Sequence, residues 1–342
     1  MLKVSSIRHF KALVDFSDKE LHSILGDADY VKKNNIRSSD GAGKMLGLLF
    51  FNPSLRTKIS FETAAYHLGA GCTVISPGQG SWSLETDLGV KMDGNKTEHI
   101  KEAIEVLSQY CDTIGVRAFS TLKDREKDYQ ENLLNMIVNF SKVPIINMES
   151  AMSHPCQAMA DWMTLRELFG VNNLRNKKLV LSWAPHPHAL PMAVPYSVMD
   201  MATRSGVDLS LVCPEEMLPD GNIIAQMEKQ SDASNSRFEI FHSQEKGFHG
   251  ANVIYAKSWA SPLVYENPEL EAELRTHKYN HWTITHQKMS LTNNAYFMHC
   301  LPVRRNVVVN DDVLDSSNSV HIQQAANRLH VQKAILRGLW SR

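Results

Sequence analysis

Met45-Leu46-Gly47-Leu48-Leu49-Phe50-Phe51-Asn52-Pro53-Ser54-Leu55-Arg56-Thr57, continuing through Lys58 to Leu68 and Gly69, is the stretch from which the fold can be read. Met45 to Phe51 is a continuous apolar run of strand length without a helical stripe, as expected of a strand buried on both faces of a parallel sheet. Beyond it Phe61, Ala64, Ala65 and Leu68 recur at helical spacing, and Gly69 supplies a stop. Ser54 to Thr57 therefore lie where a strand turns into a helix. The first turn of a helix leaves N–H groups unpaired at the positive end of its dipole, so this turn favours an anion. Two hydroxyls and a guanidinium that can grip oxygens in pairs make it a candidate phosphate cradle. On these residues alone, a plain cap at Ser54 with Arg56 in solvent reads equally well.

The rest of the chain repeats the pattern. A helix is expected over residues 7–34, with Asp15 to Glu20 as a capped start and Leu21, Ile24 and Leu25 on one face. Helices near Glu98–Gln109 and Gln130–Phe140 alternate with strands at Cys72–Ser76, Thr113–Phe119 and Val143–Met148, the last running into Glu149. His154-Pro155-Cys156-Gln157 opens a helix reaching Leu168, with proline suited to its first turn. After Phe169-Gly170-Val171-Asn172-Asn173 the alternation restarts, from Lys178–Trp183 to Asn252–Ala256, and a final helix surrounds Ala326-Asn327-Arg328-Leu329-His330. The expected fold is α/β: two doubly wound parallel-sheet domains, with ligands beyond the carboxyl ends of the strands and an active-site cleft between the domains. Ser54 to Thr57, Arg117, Glu149 to Gln157, His186 and Lys257 all fall at such ends. Taken singly, His154 also reads as a cap or a packed histidine, Lys257 as a solvated lysine and Arg328 as a surface arginine.

Composition narrows the classes. The chain has 342 residues, 43% hydrophobic and 21% charged, with a formal net charge of −1. That charge gives no general attraction to nucleic acid or an anionic membrane, so an anion must be captured locally. Five scattered cysteines, Cys72, Cys111, Cys156, Cys213 and Cys300, read as reduced thiols, with no C-x-x-C pair to suggest a metal. Met1 to Ser6 lacks a signal-like apolar core and no window approaches a membrane span, so a soluble cytoplasmic protein is expected. Asp40-Gly41-Ala42-Gly43-Lys44 lacks Walker A spacing, and no strand is followed by G-x-G-x-x-G, which removes the main support for a dinucleotide enzyme. No metal or cofactor is expected.

Ser54-Leu55-Arg56-Thr57, His154-Pro155-Cys156-Gln157 and His299-Cys300-Leu301-Pro302, with Arg117 at the intervening strand end, resemble the S-x-R-T, H-P-x-Q and H-C-L-P motifs of the aspartate and ornithine carbamoyltransferases over nearly the whole chain. Trp82, Met92-Asp93-Gly94, Lys257-Ser258-Trp259 and Arg304-Arg305-Asn306 look like the branch that carbamoylates N-acylated ornithine. Where enzymes acting on free ornithine carry Asp-Gly-Asn-Asn and Ser-Met-Gly, this chain has Trp183-Ala184-Pro185-His186 and Ser258-Trp259-Ala260.

The resemblance implies a carbamoyl phosphate-binding domain over 1–150, a linker helix over 151–169, an acylornithine-binding domain over 170–322 and a C-terminal helix over 323–342 returning to the first domain. It implies carbamoyl phosphate binding by Ser54, Leu55, Arg56, Thr57, Trp82, Arg117, His154, Gln157, Cys300 and Leu301, with Trp82 reaching in from a neighbouring subunit of a homotrimer. Thr57, Arg117, His154 and Arg328 would serve catalysis. Glu149, His186, Lys257, Cys300, Leu301, Arg304 and Arg328 would bind the acylornithine.

N-acetyl members tend to carry glutamate where this chain has Thr97 and lysine where it has Val308; N-succinyl members tend to carry proline and an aliphatic residue. Thr97 matches neither. A glutamate there would repel a succinyl carboxylate, and threonine removes that obstacle. The expected acceptor is N-succinyl-L-ornithine, on a route to arginine, with N-acetyl-L-ornithine the alternative and a noncatalytic phosphometabolite sensor the remote one.

Overall fold

The computed structural model describes residues 8–341. The chain divides into two compact units, one comprising residues up to Thr121, Glu126–Cys156 and Arg328 onward, the other Leu122–Arg125 and Gln157–Asn327.

In the first unit, strand β1 (Met45–Phe50) leads into helix α2 (Leu55–His67), preceded by α1 (Asp18–Lys33). Strands β2 (Gly71–Ile75), β3 (Thr113–Arg117) and β4 (Ile145–Glu149) complete a sheet of order β2-β1-β3-β4, all parallel. Helices α3 (Ile100–Tyr110) and α4 (Asn132–Phe140) bring Ile100, Ile104, Leu134 and Ile137 against Leu49, Ile114 and Val116. Each such side chain, fully buried, contributes about 1.5–3 kcal/mol. Gly115 is required by close packing: a Cβ there would stand 2.8 Å from Met148 Sδ.

The helix expected over residues 7–34 is shorter. Ile7 lies outside the described residues, Phe10 pairs with Ile146 at the sheet edge, and Leu13–Asp15 is a single tight turn. Phe10 N–H donates to Ile145 O at 2.8 Å, so the backbone here satisfies itself on a neighbouring strand rather than within a helix. The helix begins only after Ser17, whose reciprocal capping box with Glu20 was visible in the sequence.

In the second unit, helix α5 (Pro155–Phe169) contributes its residues from Gln157 on. Strands β5 (Lys178–Trp183), β6 (Asp208–Val212), β7 (Phe238–Phe241), β8 (Val253–Lys257) and β9 (Tyr296–Met298) form a second parallel sheet of order β9-β8-β5-β6-β7. Helices α6 (Ala193–Ser205) and α7 (Gly221–Ser234) lie in the β5-to-β7 crossovers, and α8 (His321–Trp340) ends the chain. Register pairs Lys257 with Trp183, which puts Lys257 and the segment leading to His186 at the same, carboxyl edge of the sheet.

Candidate active site

The first unit gathers its polar residues where β1, β3 and β4 end. Ser54 caps α2, its hydroxyl accepting from Thr57 N–H at 3.3 Å, so α2 starts where the sequence places the strand-to-helix turn. Leu55 is 71% exposed; only its backbone belongs to the turn's interior. Thr57 is buried and its hydroxyl accepts from Arg328 Nη2 at 2.9 Å, Arg328 being delivered by α8 and itself buried. Register slips between Val116 and Arg117, so that Arg117 pairs with Glu149, whose φ of 151° is one that L side chains rarely adopt. Such strained positions concentrate at functional sites. Arg117 Nη1 donates to Glu149 Oε2, and His154 Nε2 lies 3.5 Å from the same oxygen.

The electrostatics of this group follow from its burial. Desolvation presses the Arg328 pKa below its ordinary value, with Arg117 and Arg56 adding to the effect and Glu149 opposing it. Three guanidinium groups thus face one carboxylate, a formal excess of two positive charges. Arg117 Nε, also buried, has no hydrogen-bond partner among the described residues. An arrangement of this kind, at a helix N-terminus, can hold a phosphate dianion.

Trp82 stands apart from that group, 57% exposed, its indole N–H donating to Glu98 at 2.6 Å. Beside it Leu84–Glu85 pairs with Glu98–His99, and exposed Thr97 donates its N–H to Ser83 O at 3.3 Å.

In the second unit, His186, Lys257, Arg304 and the Cys300–Leu301 segment follow the strand ends. Arg304 Nε–H donates to His186 Nε2 at 3.0 Å, which leaves the imidazole proton on Nδ1, 2.8 Å from His188 O. Burial, and after it the charges of Lys257 and Arg304, lower the His186 pKa to about 4, against the opposing bond to His188. Buried Arg275, paired with Glu271 at 3.1 Å, donates to His186 O at 2.6 Å and fixes the loop. Lys257 is buried, its ammonium donating to Ser258 O at 3.0 Å. Leu301, with φ 58°, donates its N–H to His299 Nδ1 at 2.8 Å. That conformation costs a residue with a Cβ about 1–2 kcal/mol. Gln157 is buried and donates to Asp161 at 2.7 Å.

Sequence reasoning missed Arg275, Asp161 and Gln324. The i, i+4 spacing of Gln157 and Asp161 on a predicted helix was the available signal. Val308 is 2% exposed, an aliphatic core position. Four of the thiols are not built for nucleophilic work: burial raises Cys72 and Cys156 to about 12 and also raises Cys111 and Cys213.

Each parallel sheet carries cationic side chains at its strand ends, Arg117 on the first and Lys257 on the second, and comparison with known proteins identifies the class. The carbamoyl-P binding domain of aspartate/ornithine carbamoyltransferases matches residues 8–167, and the Asp/Orn binding domain matches residues 192–339. The chain belongs to the aspartate/ornithine carbamoyltransferase family and is an enzyme of the carbamoyltransferase class. It is 42% identical over 337 residues to the N-acetylornithine carbamoyltransferase of Xanthomonas axonopodis pv. citri, covering 98% of this chain and 97% of that protein. To the N-succinylornithine carbamoyltransferase of Bacteroides thetaiotaomicron it is 40% identical over 325 residues, covering 94% and 95%. Acetylornithine transcarbamylase complexed with acetylcitrulline matches its structure with a TM-score of 0.94 and 42% identity, covering 97% of this chain and 99% of that one. A glutamate-to-proline mutant of N-acetyl-L-ornithine transcarbamylase, complexed with carbamyl phosphate and N-succinyl-L-norvaline, matches with the same TM-score of 0.94.

Proposed function

We propose that this enzyme transfers the carbamoyl group of carbamoyl phosphate to the δ-amine of N-succinyl-L-ornithine, giving N-succinyl-L-citrulline and phosphate in arginine biosynthesis. The observation that carries the donor half is the largely desolvated excess of positive charge near Ser54–Thr57, which suits a phosphate dianion. Ser54, the Leu55 N–H, Arg56, Thr57 and Arg117 grip the phosphate, and Trp82 covers it. Thr57, Arg117, His154 and Arg328 polarise the carbonyl. As the neutral amine attacks, a new C–N bond forms, charge develops on the carbonyl oxygen, and these donors stabilise it. The C–O bond then breaks and phosphate leaves, taking the amine proton. Gln157 and the Cys300–Leu301 segment receive the carbamoyl NH2 group. No covalent enzyme intermediate is needed, which fits high-pKa thiols elsewhere in the chain and a positioning role for Cys300.

On the acceptor side, Lys257 and Arg304 answer the two carboxylates of a succinylated ornithine, with Glu149 and His186 orienting it. Thr97 supports the succinyl reading because it carries no negative charge, and Val308 because it is an aliphatic residue of the kind N-succinyl members tend to carry. The mutant relative that holds N-succinyl-L-norvaline has lost a glutamate, which supports the same logic. The 42% identity to acetyl enzymes favours N-acetyl-L-ornithine as the second reading. We also infer a cytoplasmic homotrimer; exposed Leu55, Ile59 and Tyr66 on α2 and exposed Trp82, Leu88 and Met92 are the surface that supports assembly.

Thr97→Glu tests the acyl assignment. Two like charges 4 Å apart cost about 1 kcal/mol in bulk water and about 4 kcal/mol at an effective dielectric of 20. The variant should lose about tenfold or more in kcat/KM for the succinyl substrate, with little change for the acetyl one. An unchanged succinyl kcat/KM would exclude Thr97 from the acyl pocket.

A further inference from the structure

Asp161 is fully buried in the second unit, and its carboxylate collects donors from separate segments of the chain. Gln157 Nε2, one turn earlier on α5, donates to Oδ1 at 2.7 Å. Gln324 Nε2, from α8, donates to the same oxygen at 2.7 Å. Tyr255 O–H, in the middle of β8, donates to Oδ2 at 3.1 Å. Gln324 then passes the constraint on: its Oε1 accepts from His299 N–H at 2.9 Å, at the head of the His299–Cys300–Leu301 turn. Neither Asp161 nor Gln324 is among the residues assigned to substrate above.

The chemistry of the contacts fixes more than position. An ionised carboxylate only accepts, so the amide nitrogen and not the oxygen of each glutamine must face Asp161. Gln157 is thereby held with its carbonyl end directed away from the carboxylate, the sense needed to accept from an NH2 group. Gln324 is held in the sense that lets its oxygen accept from His299. A glutamine free to flip would present its own NH2 to a substrate NH2 half of the time, and a donor facing a donor is repulsive as well as unsatisfied.

We infer that Asp161 is a positioning residue for the carbamoyl amide: one buried carboxylate sets the amide sense of Gln157 and, through Gln324, the placement of the His299–Leu301 turn. This rests on the carbamoyltransferase reading and adds to it the source of selectivity for a carbamoyl NH2 over other groups carried on a phosphate.

The test compares two ligands of the same enzyme. Carbamoyl phosphate engages both the phosphate grip and the amide-reading groups; inorganic phosphate engages the grip alone. In Asp161→Leu the dissociation constant for carbamoyl phosphate, measured by calorimetry, and its KM should rise tenfold or more, with inorganic phosphate within twofold of wild type. Asp161→Asn should recover most of the loss: its remaining oxygen can serve both glutamines, and the Tyr255 hydroxyl can turn to accept from the new NH2. Should Asp161→Leu fail to fold, Gln324→Met carries the same test, since it removes the bond to Asp161 and the link to His299 while leaving Gln157 on the carboxylate, and the same split between the two ligands is expected. A folded Asp161→Leu or Gln324→Met with an unchanged ratio of the two constants overturns the inference, as does a parallel loss of both ligands, which would mark a merely structural role. Wild-type protein that binds inorganic phosphate but not carbamoyl phosphate overturns the functional reading itself.

Discussion

The imidazole of His186 is neutral at physiological pH because burial and two flanking cations disfavour its charged form, lowering its pKa to about 4 from an ordinary 6.5. Neutrality is what lets Nε2 accept from Arg304 at 3.0 Å; a proton there would set two cations face to face. The linkage has a definite sign. With the folded pKa below the unfolded one, His186 contributes its full share of stability above pH 6.5 and loses it as pH falls toward 4. Proton-detected titration of the His186 ring should show a midpoint near 4. A midpoint near the ordinary value of 6.5 would mean that the ring is not buried as described. At this scale the sequence was informative where residues came in motifs and silent where they did not. Lys257 and Arg328, read singly, belong on a surface, yet both are buried. Gln324 carries no motif, and Asp161 only its i, i+4 spacing from Gln157, because a carboxylate or amide within a helix ordinarily faces water.

The strand-to-helix turn at Ser54 is the element whose two readings the sequence left level. As a cap alone, Ser54 is worth about 1 kcal/mol, and Ser54→Ala should lower the melting temperature accordingly. As part of a phosphate cradle it should also weaken inorganic phosphate binding, by about threefold to tenfold for one lost hydrogen bond. Stability loss with unchanged phosphate affinity would leave Ser54 a cap and nothing more. The strands were legible because buried parallel strands are apolar throughout, as in Leu46 to Phe50, all of them buried. The N-terminal segment was not, because Phe10 takes its partners from Ile145 and Asn147, far along the chain, and no local pattern announces a non-local pairing. The slip at Arg117 that pairs it with Glu149 was invisible for the same reason.

Over the whole chain, a net charge of −1 draws no anion from a distance, yet the first unit gathers three guanidinium groups, those of Arg117 and Arg328 buried and that of Arg56 half-buried, near one carboxylate. The anion capture proposed for this site would therefore be local and short-ranged, and would depend on desolvation more than on bulk field. Alternation of strand and helix made both parallel sheets readable, and in each unit the candidate residues at strand ends, such as Arg117 and Lys257, lie at the carboxyl edge of that unit's own sheet. The acyl group of the acceptor was the least legible property. The proposed assignment rests on an exposed threonine in a loop, Thr97, and on a buried valine, Val308, neither of which has a chemical signature of its own.

A competition assay bears on the central claim most directly. Purified enzyme receives carbamoyl phosphate with equal concentrations of ornithine, N-acetyl-L-ornithine and N-succinyl-L-ornithine, and the carbamoylated products are resolved by mass spectrometry at early times. The account predicts N-succinyl-L-citrulline as the dominant product, N-acetyl-L-citrulline as a minor one and no citrulline. Dominant N-acetyl-L-citrulline or citrulline would contradict the acceptor assigned to this site, and no carbamoylated product from any of the three would contradict the transfer reaction proposed for these substrates.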